Sequence, residues 1–236
     1  MNDEMRMGTS YEAGVMRDSL GRYTAKTFGW MFLGLLTTFI VAMAGYLSGA
    51  ILYVAYVPSW PFVLLIAEVV VVMVLTARIS KLSVGMARGL FFLYAGLNGI
   101  VFSAYFLLFK MVDMVFIFGL TAMFFGIMAA IGYFGNINFN ALRPFMLGGL
   151  LFLCGFWLLS LFINLSAFET MVCAVGIFIF LLYTAYDAKK IQAYYAYYGQ
   201  MPEMAAKASI FAALQLYLDF INLFVYLIRI LARRDN

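Results

Sequence analysis

Long apolar stretches separated by short polar ones are the main pattern of this 236-residue chain. A spanning helix needs about 17 to 25 mostly apolar residues, and seven stretches reach that length. The pattern therefore predicts an all-α integral membrane protein with seven transmembrane helices. The segments are approximately Phe28–Tyr53, Trp60–Ala77, Leu90–Phe109, Met114–Phe134, Pro144–Leu165, Thr170–Tyr186 and Ala208–Leu231.

The polar stretches between the segments are too short to form a second domain. We therefore expect a polar cytoplasmic segment at 1–27, a membrane domain at 28–231 and a short polar tail at 232–236. The first 27 residues lack the apolar core of a cleaved signal peptide, so the first helix should serve as the insertion signal. Composition agrees, because 66% of the residues are hydrophobic and 11% are charged, whereas soluble domains are about half apolar and a quarter charged.

The cationic residues predict how the helices are oriented. If the N-terminus is cytoplasmic, eleven Lys and Arg residues of the first six helices and their connections lie inside, and only Lys110 lies outside. Cytoplasmic loops are rich in these residues, so we expect a multi-pass inner-membrane protein with a cytoplasmic N-terminus. A spanning seventh segment would place Arg233 and Arg234 outside. A spanning helix and a re-entrant one therefore both stay open.

The seventh segment carries a row of polar side chains. Gln215, Asp219, Asn222, Tyr226 and Arg229 follow one another at steps of 4, 3, 4 and 3, which place them on one helix face. We call this row the polar seam. It must face other helices or a water-filled cavity, because lipid does not solvate it. For Gln215 and Asn222, hydrogen bonds that only hold helices together explain the polar side chains as well as a functional role does. For Asp219 function is favoured, because an amide would serve as glue without the cost of ionisation.

Asp187, at the end of the sixth segment, is a candidate partner for Asp219. Read alone it is equally well a solvated helix end, since Lys189 and Lys190 follow it. A short connection joins the sixth and seventh segments, so the two carboxyl groups can meet. Two carboxylates in a dry site cannot both ionise freely, so one of them would have its pKa raised toward neutrality. The pair would then act as a proton switch, and as a cation site when both are charged. The chain contains no His, so such a switch would depend on carboxylates.

Two further charged residues lie on the second segment. Glu68 is either a pore-lining acid or a carboxyl group held neutral against another helix. Arg78, near the end of that segment, is either a latch that pairs with the carboxylates or an anchor at the membrane surface.

Two stretches resemble the Bax inhibitor-1 family, the transmembrane Bax inhibitor motif proteins. They are "LYTAYDAKKI" and "ALQLYLDFINLFVYLIRIL", and "SVGMARG" after the second segment agrees. The resemblance implies two groups of three helices around a central C-terminal helix, and a pH-sensitive calcium leak channel. It also implies that Asp187 and Asp219 form a hydrogen-bonded pair that Arg78 latches in the closed form, and that Glu68 is the family's helix-two glutamate.

The leading hypothesis is a calcium leak channel gated by protonation of Asp187 and Asp219. A calcium/proton exchanger and a non-catalytic regulator of a membrane protease stay as alternatives. An intramembrane aspartyl protease is disfavoured, because Leu216, Tyr217 and Leu218 stand where such enzymes carry Gly-x-Gly. We expect no enzymatic activity and no cofactor. Membrane lipid and transported Ca²⁺ are the expected partners; nucleic acid is not, and a monomer is favoured with the oligomeric state open.

Overall fold

The computed structural model describes residues 19–234, and seven long helices account for most of them. The helix Ala50–Ala55 and the 3₁₀ turn Ser166–Phe168 connect long helices. All seven long helices are long and apolar enough to cross a membrane, which confirms the predicted fold class. They are α1 (Leu20–Leu47), α2 (Trp60–Arg78), α3 (Val84–Leu108), α4 (Met111–Phe134), α5 (Phe139–Ser160), α6 (Glu169–Tyr198) and α7 (Pro202–Arg234).

Several helices extend beyond the apolar segments that predict them. The α1 helix begins at Leu20, where the Ser19 side chain accepts a hydrogen bond from the Arg22 amide at 3.3 Å. The α6 helix continues at its C-terminal end to Tyr198, twelve residues past the predicted limit at Tyr186. Hydropathy registers only the apolar part of a helix, so polar turns at the ends are missed. Residues 1–18 and 235–236, with most of the predicted polar segment and part of the tail, lie outside the described residues.

The long helices form two groups of three around α7. In the first group α3 packs against α1 and α2, and in the second α6 packs against α4 and α5. The α7 helix contacts α1, α3, α4 and α6. Of the 18-residue apolar stretch of each helix that could cross the membrane, 67% is buried in α7, compared with 11% in α2. The predicted arrangement around a central C-terminal helix is therefore confirmed.

Close helix contacts within each group depend on glycine. A Cβ atom on Gly132 of α4 would meet the backbone carbonyl of Ala185 on α6. A Cβ atom on Gly99 of α3 would lie 2.6 Å from the Cβ of Val41 on α1. Small residues allow membrane helices to approach at backbone distance, so each group is held by close packing.

The α7 helix runs without interruption for 33 residues. At 1.5 Å per residue that is about 50 Å, which exceeds the roughly 30 Å hydrocarbon core of a bilayer. A re-entrant segment would have to turn back within the helix, and α7 contains no such turn. Its length and apolar composition therefore fit a spanning helix. Which side of the membrane holds the N-terminus stays a prediction.

Candidate functional site

Asp219 lies at the centre of the bundle. Its residue is 4% exposed, and Phe220 and Tyr217 beside it on α7 are buried as well. Within residues 19–234 its buried Oδ2 atom has no hydrogen-bond partner. An ionised carboxylate in such a place is costly unless a cation or several hydrogen bonds compensate it. Binding of a proton or a cation to this oxygen would therefore lower the free energy of burying the Asp219 carboxylate.

Asp187 lies on the face of α6 that packs against α7, and its residue is 5% exposed. Its Oδ1 atom accepts hydrogen bonds from Lys190 Nζ at 3.2 Å and from Gln215 Nε2 at 3.4 Å. Gln215 lies one turn before Asp219 on α7, so this bond holds the two aspartates at neighbouring levels. Asp219 interacts electrostatically with both Asp187 and Lys190. The structure thus brings the two sequence-predicted acids together, although among the described residues the hydrogen bonds of Asp187 run to Lys190 and Gln215.

Lys190 is the site residue that the sequence reasoning missed. It forms an ion pair with Asp187 one turn earlier on α6, and its ammonium lies 4.8 Å from the ring centroid of Tyr186 and 5.7 Å from that of Tyr194. A cation held by a carboxylate and two ring faces is well stabilised in a partly dry site. The i,i+3 spacing of Asp187 and Lys190 is the signal that could have identified it.

The polar seam of α7 faces the second helix group and not lipid. Beyond Gln215 and Asp219, Tyr226 accepts a hydrogen bond from Trp157 Nε1 at 3.1 Å, and the Arg229 guanidinium lies 4.2 Å from the centre of the same indole. Asn222 Nδ2 donates to the Leu218 carbonyl of its own helix at 2.8 Å. The seam therefore has two parts. One part contacts the carboxylate of Asp187 on α6, and the other contacts the Trp157 ring on α5.

The opposite side of α7 carries hydroxyl contacts to the first group. Tyr217 is fully buried, and its hydroxyl oxygen lies 2.6 Å from Thr38 Oγ1 on α1. Thr38 Oγ1 donates to the Ala95 carbonyl of α3 at 2.9 Å, and Thr27 on α1 shares a 2.9 Å hydrogen bond with Ser209 on α7. We call these residues the hydroxyl contacts. Tyr217 lies outside the 4-3-4-3 spacing of the polar seam, so that spacing does not point to it.

The structure does not bring Arg78 to the aspartates. Arg78 is exposed at the C-terminal end of α2. Two residues later the Ser80 carbonyl accepts a hydrogen bond from Lys207 Nζ at 3.5 Å. Lys207 precedes Asp219 by twelve residues, which is about 18 Å along the helix axis. The latch therefore stays a prediction about another conformation, and Lys190 is the cation that pairs with Asp187 here.

Glu68 lies on α2 and is partly buried. Its Oε1 atom is buried without a hydrogen-bond partner within residues 19–234. It interacts electrostatically with Tyr94 of α3 and Tyr217 of α7. Glu68 thus approaches α7 from the first helix group, apart from Asp187. Both interpretations of this residue, a pore-lining acid and a neutral carboxyl group, stay open.

A calcium ion at the aspartates would need ligands in addition to them. Residues 19–234 contain no group of three or more His, Cys, Asp or Glu side chains placed to hold a metal ion. Calcium takes about 6–8 oxygen ligands, including amide oxygens and water. Gln215 could supply an amide oxygen, although its Oε1 atom accepts a hydrogen bond from Tyr194 at 3.1 Å.

Comparison with known proteins gives a consistent family match. The family model described as "Inhibitor of apoptosis-promoting Bax1" (Bax1-I) matches residues 20–236. The inner membrane protein YbhL of Escherichia coli (strain K12) is 36% identical over 92% of this chain and 94% of its own length. An uncharacterized protein of Deinococcus radiodurans is 34% identical over 92% and 93%, and the uncharacterized protein RP147 of Rickettsia prowazekii is 30% identical over 93% and 92%.

Proposed function

The chain belongs to the Bax inhibitor-1 family of membrane proteins, and we propose that it is a pH-sensitive calcium leak channel of the inner membrane. Seven apolar helices and a relative named as an inner membrane protein support this location. The observation that carries the proposal is Asp219, a buried carboxyl group at the centre of the bundle that interacts electrostatically with Asp187 and has one oxygen without a hydrogen-bond partner within residues 19–234. Ionisable residues in such positions commonly line ion or proton pathways.

The balance of charge around the aspartates supports proton gating. The ion pair of Asp187 with Lys190 is neutral as a unit. In the closed form Asp219 then carries a proton, because an extra buried negative charge would be uncompensated. When Asp219 loses that proton, a second carboxylate lies beside Asp187. The two repel each other and attract a cation, which favours separation of α6 and α7 and entry of the ion.

Calcium competes with Lys190 in this proposal. The Lys190 ammonium occupies Oδ1 of Asp187 in the structure, so a cation can coordinate that oxygen only after the ammonium moves away. A calcium ion that replaces the Lys190 ammonium brings two positive charges in place of one. Two charges balance the two carboxylates when Asp187 and Asp219 are both ionised. Arg78 remains the proposed latch for a conformation in which the C-terminal end of α2 has moved inward.

We propose no catalytic activity for the aspartates. Hydrolysis of a peptide by two aspartates requires that a substrate strand reach them. Leu216 and Tyr217, which precede Asp219 on α7, are both fully buried against neighbouring helices. This packing leaves no room for a substrate strand beside Leu216 and Tyr217.

The test is calcium flux into proteoliposomes, measured from acidic to alkaline pH. Asn resembles a protonated Asp, so Asp219→Asn should show at every pH the flux that the wild-type protein shows at low pH. Asp113→Asn is the matched control, because Asp113 lies in the first turn of α4 and outside the site. It should keep the wild-type profile. A pH dependence unchanged by Asp219→Asn would refute gating by this residue.

The same vesicles separate a leak from exchange. A leak channel moves calcium only down its gradient, whereas a calcium/proton exchanger uses a proton gradient to accumulate it. We expect no uphill accumulation when a proton gradient is imposed. Accumulation against the calcium gradient, abolished by Asp219→Asn, would favour the exchanger.

A further inference from the structure

An apolar cavity of about 350 Å³ lies between the two helix groups, on a face of α7 different from the one that carries Asp219. Its walls come from α1, α3, α4 and α7, and among residues 19–234 only Thr38 lines it with a polar side chain. The volume falls within the roughly 300–1,000 Å³ of small-molecule pockets. A cavity with so few hydrogen-bonding groups does not hold ordered water, so its natural occupant is a hydrocarbon.

The cavity lies at the end of the bundle where α4 begins. Its α4 residues fall within the first two turns of that helix, from Met111 to Phe118. At the other end of α4 the two groups are joined, because Thr24 Oγ1 of α1 lies 3.1 Å from the Tyr133 hydroxyl oxygen of α4. The groups are therefore tied together at one end and leave a space at the other.

The cavity is continuous with the lipid-facing surface. Phe32 and Val115, which line it, are 63% and 62% exposed. In a protein that spans a membrane, the medium beside such residues is the hydrocarbon of the bilayer. The lining of α1 runs from Phe32 to Met43, which is about 16 Å along the helix. That is about half of a hydrocarbon core of roughly 30 Å, the depth of one leaflet.

We propose that this cavity binds one acyl chain of a bilayer phospholipid, whose end reaches α7. The inner wall is formed by Phe220, Ile221 and Phe224 of α7, which are 3%, 9% and 5% exposed. Lys110, the N-cap of α4, and Asp113 in its first turn flank the lining residue Met111 in the sequence. Their opposite charges offer no net attraction to an anionic headgroup, so the site selects the chain.

Photo-crosslinking in lipid nanodiscs tests the proposal. The probe is a phosphatidylethanolamine with a diazirine at the end of one acyl chain, and labelled peptides are mapped by mass spectrometry. Bulk lipid labels the exposed helix α2, which gives the reference yield. Lipid in the cavity should also label α7 at residues 220–224, which the other helices shield. Label on α2 with none on α7 would overturn the proposal.

Two variants show whether the α7 label comes from this cavity. Val115→Trp and Ala42→Phe place a large ring at lining residues. Each should lower the ratio of α7 to α2 label by about tenfold, equivalent to ~1.4 kcal/mol of binding free energy. Val112→Trp is the matched control, because Val112 is 77% exposed one turn earlier on α4 and does not line the cavity.

Circular dichroism and the thermal midpoint identify any variant that fails to fold. The two cavity variants fill the space from different helices, so either folded one is informative. An unchanged α7 label in a folded cavity variant contradicts the site. An equal loss of label in Val112→Trp contradicts it as well.

Discussion

The two polar faces of α7 differ in how completely their hydrogen bonds are satisfied. Toward α1, the hydroxyl groups of Ser209 and Tyr217 each meet a threonine hydroxyl, at 2.9 and 2.6 Å. Toward α6, Asp219 keeps a buried oxygen without a partner among the described residues and interacts with a second acid. One helix therefore carries a row of hydroxyl groups whose hydrogen bonds are satisfied and, on another face, a carboxyl group with an unsatisfied oxygen.

This difference assigns separate tasks to the two faces. A satisfied network of neutral groups favours a single arrangement, and a change of pH near neutrality does not alter it. A buried carboxyl group changes its charge with one proton, so its surroundings can have two arrangements. The hydroxyl contacts thus anchor α7 to the first group, while the aspartates set its relation to the second.

The largest expected effect on stability comes from removing Tyr217, one of the hydroxyl contacts that anchor α7. Tyr217→Ala removes a fully buried ring that contacts Phe91 and Tyr94 edge-on. We expect a loss of about 3–5 kcal/mol in the free energy of unfolding, as for buried aromatics elsewhere. Unfolding in SDS titrations measures it. Tyr197→Ala, at a residue that is 72% exposed, is the control and should change little; equal losses would show that Tyr217 is no anchor.

A smaller effect on the same face comes from Gly34. A Cβ atom there would clash with Phe91 Cζ of α3 and lie 3.2 Å from the Tyr217 ring of α7, so Gly34→Ala displaces the Phe91 ring and crowds Tyr217. Overpacking of this kind costs about 1–3 kcal/mol. Gly29→Ala, on the same helix, has no neighbour within 4 Å of the added atom and should be neutral. In SDS unfolding, a Gly34→Ala variant as stable as Gly29→Ala would contradict this contact.

On the switching face, Lys190→Gln should move the pH midpoint of calcium flux. Without the ammonium beside Asp187, the ionised forms of both acids lose stabilisation, so the protonated pair persists to higher pH. We expect an upward shift of about one pH unit, or ~1.4 kcal/mol. Lys189→Gln is the control, because Lys189 donates to the Gly135 carbonyl at 3.0 Å. A downward shift, or an equal shift in both variants, would mean that Lys190 does not act on the aspartates.

The smallest effect is expected from Tyr217→Phe. This variant keeps the ring and removes the hydroxyl, while Thr38 keeps its bond to Ala95. Interhelical hydrogen bonds in membranes are worth about 0.6 kcal/mol on average, so unfolding in SDS should change by about that amount. The pH midpoint of flux should not move. A moved midpoint would show that the anchor face also takes part in switching.

The architecture could be predicted from the sequence because lipid imposes a simple rule on spanning helices. Apolar length gave the seven helices, and the family resemblance gave the central position of α7. The ends could not be predicted in this way, since capping by Ser19 and the polar extension of α6 depend on local hydrogen bonds. The continuity of α7 also needed the structure, because charge counting alone left a re-entrant segment open.

The candidate site could be predicted in part for a related reason. The spacing of the polar seam indicated one face, and the chain order placed Asp187 near it. Lys190 was missed because a lysine after a helix-end acid reads as a surface charge, although α6 continues to Tyr198. Tyr217 was missed because a single polar atom among apolar residues leaves no periodic signal.

The most direct test of the two-face account is infrared difference spectroscopy between low and high pH in lipid. In a Glu68→Gln background, which removes the other buried acid without a hydrogen-bond partner among the described residues, the account predicts a protonated-carboxyl band at low pH that disappears as pH rises, that is absent in Asp219→Asn and that is retained in Tyr217→Phe. A pH-dependent band that persists in Asp219→Asn, or that Tyr217→Phe removes, would contradict it.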